Sequence, residues 1–132
     1  MIYFHILCAM IFMHIVDDFY LQQGILSKMK QKDWWQKQSS YKDLYKNDYK
    51  IALILHSFSW SFIVMLPLII FGKLVPLAFP FLVSNTIVHA FVDNEKANKK
   101  SISLVQDQLV HFIQIFTTWL IYSAYLIGQG GL

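Results

Sequence analysis

Arginine is absent from this chain, cysteine occurs once, and only 14% of the residues are charged. Each shortage excludes something. Sequence-specific DNA reading leans on bidentate arginine, so a base-reading protein, and nucleic acid as a partner, is not expected. The lone Cys8 can form no internal disulfide and fixes no compartment. Charge this sparse does not cover a soluble surface on a chain of 132 residues, a length that fits one compact domain. No basic segment precedes the first apolar run and no small-residue cleavage site follows it, so that run is expected to be a retained helix. Internal repeats and low-complexity stretches are lacking too.

What is present is apolar: 56% of the residues, gathered in four long runs. These cover about 2–22, 51–71, 74–92 and 104–127. Each approaches the roughly 20 residues that a helix needs to cross a hydrocarbon core. Helices satisfy their own backbone in lipid. The expected fold is therefore all-α, an integral membrane four-helix bundle forming one domain over 1–132, with the lipid bilayer as its first partner. Gly72-Lys73 predicts a tight turn between the second and third runs. Pro67, Pro76 and Pro80 are breaks of a kind that membrane helices tolerate.

Ten of the eleven lysines fall in two connections, residues 28–50 and 96–100. Four-span topology puts both connections on one side, which the positive-inside rule makes cytoplasmic, with both termini outside. Trp34, Trp35, Tyr41, Tyr45 and Tyr49 are interleaved with the first lysine set. The three tyrosines recur every four residues and would line one helix face. Segment 28–50 thus reads as an amphipathic cytoplasmic element anchored in the headgroup region.

The ionisable residues inside the runs form a pattern. His14 and Asp18 are four apart, as are His89 and Asp93, and Asp107 and His111. Residues four apart on a helix are separated by about 40° and roughly 6 Å. Three helices therefore each present an imidazole with a carboxylate. His56 lies about 9 Å into the second run. All these groups share the lysine-rich third of the bundle, a coincidence that scattered polar residues would not produce. Ionisable groups in a membrane are costly unless paired, hydrated or bound to an ion. Neutral imidazole and carboxylate suit a divalent metal, zinc or manganese foremost. His14, Asp18, His89, Asp93, Asp107 and His111 are the candidate ligands, for one ion or two. His56 is an extra ligand or a proton carrier, and Asp18 and Asp93 are ligands or a base. Gln22 and Gln108 would orient ligands. The alternative is that His–Asp hydrogen bonds merely join helices. Asp17 points some 100° from Asp18 and should lie outside the ligand set. His5, about 13 Å from His14 and on the opposite face, has no expected role, and Cys8 is expected only to pack.

These residues also carry a resemblance. His14-Ile-Val-Asp17-Asp18-Phe19-Tyr20-Leu21-Gln22, followed by Gly24 and Lys28, resembles the HxxxDxxLQ start of a family of small bacterial and phage membrane proteins of unknown function. That family's later marks are similar to His56, His89-Ala-Phe-Val-Asp93 and Asp107-Gln108-Leu-Val-His111, so the likeness covers nearly the whole chain. Many members carry a second histidine four residues after the first in helix two, where this chain has Trp60. A more distant similarity is to YdjM-type inner-membrane proteins, which are described as metal-dependent hydrolases. The resemblance implies a polar bundle core in the bacterial inner membrane.

The function expected first is a metal-dependent hydrolase acting on a phosphoester, such as a lipid headgroup, at the cytoplasmic leaflet. A bound dication would lower the pKa of a coordinated water, and nearby lysines would attract the anion. The alternatives are a carrier or channel for metal ions or protons, which with four helices would need a homo-oligomer, and a non-catalytic phage or bacterial membrane protein that binds a host partner.

Overall fold

A computed structural model describes residues 1–38, 43–72 and 76–130. Among these residues the chain is all helical, but it holds six α-helices where the sequence predicts four. They are α1 (Ile2–Val16), α2 (Ile25–Met29), α3 (Lys32–Gln38), α4 (Asp48–Gly72), α5 (Ala78–Asn94) and α6 (Leu104–Gly128). The two additional helices are short and lie in the lysine-rich segment between the first two apolar runs. Gly24, with a left-handed φ of 71°, turns the chain away from the end of α1 and lets α2 fold back against α4. Trp35 then fixes α3: its indole N–H donates to the Met29 carbonyl at 2.7 Å, and its ring stacks on Tyr45 at 5.9 Å. The expected single face of tyrosines does not form. Tyr45 lies in a bend before α4, Tyr49 lies inside α4, and Tyr41 is outside the described residues.

Among the described residues three helical stretches are long and apolar enough to cross a membrane: Ile2–Leu21, Asp48–Gly72 and Leu104–Gly128. The fourth expected span is shorter, at 17 residues or roughly 25 Å. Its start is set by proline. Pro76 sits in the turn before α5 and Pro80 in the first turn, where a missing N–H costs no intrahelical bond. The predicted turn at Gly72-Lys73 and the start of the run at Leu74 fall partly or wholly outside the described residues. The entry to α6 follows from a capping box: the Gln106 N–H donates to Ser103 Oγ, and the Ser103 N–H donates to Gln106 Oε1.

Helix α4 is the hub and packs against α1, α5 and α6. Trp60, Val64, Met65 and Leu68 from α4 meet Ile6 and Met10 from α1 and Ile115, Tyr122 and Leu126 from α6. The pattern of burial is inverted relative to a soluble bundle. Among the described residues thirteen polar side chains are buried against twelve apolar ones, while Phe12, Leu55, Ile70, Phe79, Phe91 and Val105 stand exposed around the outside. Both lysine-rich connections meet at one end. The Asn98 side chain donates to the Lys30 carbonyl at 3.0 Å and accepts from the Lys32 N–H at 2.7 Å. At that end Glu95 is held below the usual carboxylate range by Lys99 and then by Ser101.

Candidate metal centre

Just inside this end, α4, α5 and α6 bring His56, His89, Asp93 and His111 together, all buried. The i,i+4 spacing on α5 leaves His89 Nε2 3.8 Å from Asp93 Oδ1, and His111 reaches the same oxygen from α6 at 3.7 Å. His56 Nε2 is 2.8 Å from Asp93 Oδ2 and 3.0 Å from His89 Nε2. A parallel stack holds the rings: Trp60 lies 4.3 Å from His89, which lies 4.1 Å from His111. Among the described residues two sets of side chains could each hold an ion, His89 with Asp93 and His111, and Asp18 with His56 and His89.

A lysine occupies this centre. Lys30, the residue that ends α2, places its ammonium 2.6 Å from Asp93 Oδ2 and 2.9 Å from His56 Nε2. Spacing gave no sign of it, because a lysine in a polar connection reads as a solvated side chain. Lys96 was equally hidden. It pairs with Asp107 at 2.6 Å, and Asp107 in turn lies 3.5 Å from His111.

The remaining expected ligands are arranged differently. His14 stands outside both sets because its two ring nitrogens are already engaged. The Trp60 indole donates to Nδ1 at 2.8 Å, and Nε2 donates to Gln108 Oε1 at 3.1 Å. Asp18 lies 3.6 Å from His14 Nδ1. Gln108 joins the groups: its amide also donates to Asp18 at 3.3 Å and to Asp107 at 3.2 Å. Gln22 turns to Asp17, which is fully buried and also accepts from Ser59 at 3.3 Å. Asp17, at the start of a π-helical turn over Asp17–Leu21, lies outside both sets, as the sequence predicts. His5 is exposed and lies far from the cluster along α1. Cys8 is exposed rather than packed.

The donor set fits a dication. It is nitrogen and carboxylate oxygen, the set that zinc and manganese accept. Ligand atoms around a tetrahedral zinc are roughly 3.3 Å apart, so the spacings of 3.7 and 3.8 Å at Asp93 need to close by only a few tenths of an ångström. Hydrogen bonding leaves the cluster unsatisfied. His111 Nε2, His89 Nδ1, His56 Nδ1 and Asp107 Oδ1 are buried without a hydrogen-bond partner. His56 Nε2 has one in-plane bonding site and three polar neighbours within 3.0 Å. Beyond His111 the polar chain continues without charge, through Gln114 (3.2 Å) to Asn85 and on to Thr118 (2.9 Å).

A cavity of about 420 Å3 opens on the centre, lined by Asp18, Gln22, Lys30, Asp93, Lys96 and Lys100 among others. A second, of about 250 Å3, lies on the other side of Gln22, walled by Leu21, Leu26, Met29, Ala52 and Leu55 and closed by Asp17, His56 and Ser59. Comparison of the chain with protein-family models, with curated proteins and with solved structures gave no match.

Proposed function

We propose that the chain is an integral membrane protein that binds a divalent metal through His89, Asp93 and His111, and that it uses the metal to hydrolyse a phosphoester. The observation that carries this reading is the convergence of three buried imidazoles on Asp93, with His111 Nε2, which faces that carboxylate, left without a hydrogen-bond partner. Buried polar atoms are rarely orphaned unless something absent from the protein satisfies them. Bound there, a dication supplies a Lewis acid and an acidified water. The protein's own part is positional. Asp93 brings charge to two histidines, Trp60 and His111 hold the His89 ring between them, and Gln108 ties Asp18 to Asp107. His56, beside Asp93, accepts or returns a proton. Lys100, which lines the cavity, attracts an anion, whereas Lys96 is held by Asp107. The resemblance to the small bacterial and phage membrane family supports a polar bundle core of this kind. In this reading the lysine-rich end faces the cytoplasm, the membrane is the bacterial inner membrane, and the termini lie outside.

Metal content measured by mass spectrometry on detergent-purified protein tests the proposal, wild type beside His89→Ala/Asp93→Ala. Stoichiometric transition metal in the wild type and none in the variant supports it and justifies a phosphoester screen. No metal in either, after purification without chelator and with metal added back, sinks it. A carrier function is less well supported, since Gln114, Asn85 and Thr118 extend the polar chain with no titratable group among them.

A further inference from the structure

We infer that the phosphoester which this site takes belongs to a membrane lipid, bound with its phosphate in the lysine-lined cavity and one acyl chain in the adjoining apolar groove. The inference rests on the reading of the centre as a phosphoester site, and it specifies the substrate class.

Gln22 lines both the 420 Å3 polar cavity and the 250 Å3 groove, so the two share a wall. His56 joins them a second time. It is one of the groove's lining residues, yet its Nε2 lies 2.8 Å from Asp93, which lines the polar cavity. His56 is only 7% exposed, and its Nδ1 has no hydrogen-bond partner. A ligand filling both spaces would therefore be polar at the Asp93 end and apolar beyond His56.

The groove has the address of a lipid chain. Leu21, Leu26 and Leu55 are 54%, 52% and 63% exposed and belong to the outer apolar surface of the bundle. Leu21 ends the first membrane-length stretch and Leu55 lies near the start of the second, so the opening is lateral and near the lysine-rich end. An acyl chain could enter from the side while its headgroup stayed at the level of the lysines. Charge fits the headgroup. Lys30 and Lys96 line the polar cavity already paired with Asp93 and Asp107, each at 2.6 Å, Lys100 lines it as well, and a bound dication would add two further positive charges. A phosphate would then take Lys30 as a donor in place of Asp93 Oδ2, whose carboxylate the metal would neutralise.

Native mass spectrometry on detergent-purified protein tests this directly, with dioleoyl phosphatidic acid, dioleoylglycerol and glycerol 3-phosphate as three separate probes. The expected result is one phosphatidic acid per chain, bound at least about tenfold more tightly than either of the other two. Leu55→Trp and, independently, Leu21→Trp at the exposed rim should each weaken phosphatidic acid about tenfold. Lys100→Gln should weaken it too, in protein whose helicity and melting match the wild type. Equal binding of glycerol 3-phosphate would overturn the inference in favour of a free-phosphate site. Equal binding of dioleoylglycerol would reduce the groove to ordinary lipid contact, and no binding at all would also overturn it. Metal content recorded on the same samples separates the two readings. Metal present without lipid selectivity rejects the lipid alone, and lipid selectivity without metal rejects the hydrolase.

Discussion

Lys30 decides how the centre behaves. Its ammonium sits on Asp93 Oδ2 while His89 and His111 converge on Oδ1, so it and a metal ion compete for the charge of one carboxylate, and Lys30→Met should tighten metal binding by about an order of magnitude, equivalent to roughly 1.4 kcal/mol of competition removed. Titration against a chromophoric chelator checks this, and weaker binding in the variant would mean that the lysine helps to build the site. Without metal the same pair has a structural role. The side chains of Lys30 and Asp93 are 16% and 6% exposed. Breaking a buried pair by removing one partner costs about 3–5 kcal/mol, and the partial exposure of Lys30 lowers the cost of Asp93→Asn below that range, to about 2–3 kcal/mol. Lys30→Met/Asp93→Asn should regain most of that in a denaturation series, because no lone charge is left inside. Simple addition of the two single losses would refute the coupling. Trp60 is decisive in another way: its indole N–H fills the histidine nitrogen that the sequence offered as a ligand, which leaves His14 a hydrogen-bonded neighbour of the cluster.

At the scale of elements, α4 sets how closely the other helices approach. Gly72 ends it against α6, where an added Cβ would stand 2.8 Å from Leu126 Cδ1. Gly72→Ala should be nearly tolerated, since a terminal methyl can move. Gly72→Val should cost about 1–3 kcal/mol by overpacking. In a Leu126→Ala background the valine should cost markedly less, and an unchanged penalty would show that this approach is not what limits packing. At the end of α1, where the chain runs into a π-helical turn over Asp17–Leu21, Asp17 reaches Ser59 while Asp18 stays near His14. The His/Asp pairs were legible because a four-residue spacing survives in any α-helix. Lys30 and Lys96 were not, because their partners are 63 and 11 residues away along the chain.

At the scale of the molecule, among the described residues, polar side chains share the interior with an apolar core, large apolar side chains cover much of the outside, and the two lysine-rich connections meet at one end. If all four long helices cross the membrane, Lys28 and Lys99 face one compartment and Gln129 faces the other. In a Cys8→Ser background, Lys28→Cys and Lys99→Cys should react with an impermeant maleimide only in inverted vesicles, and Gln129→Cys only in intact cells. Labelling of Lys28 and Lys99 from opposite sides would mean that α5, the shortest of the four, does not cross.

Composition and run length by themselves determined an all-helical chain with membrane-length segments, because a helix is the one economical way to bury a long apolar stretch. Helical spacing determined which imidazoles travel with which carboxylates. Tertiary structure decided the rest. It brought His56 against Asp93, withdrew His14 behind Trp60, buried Asp17, and set a lysine from a short unforeseen helix on the centre of the cluster. These outcomes depend on how far the chain turns at Gly24 and on which helix faces meet, and neither is written in the spacing of residues along one strand of sequence.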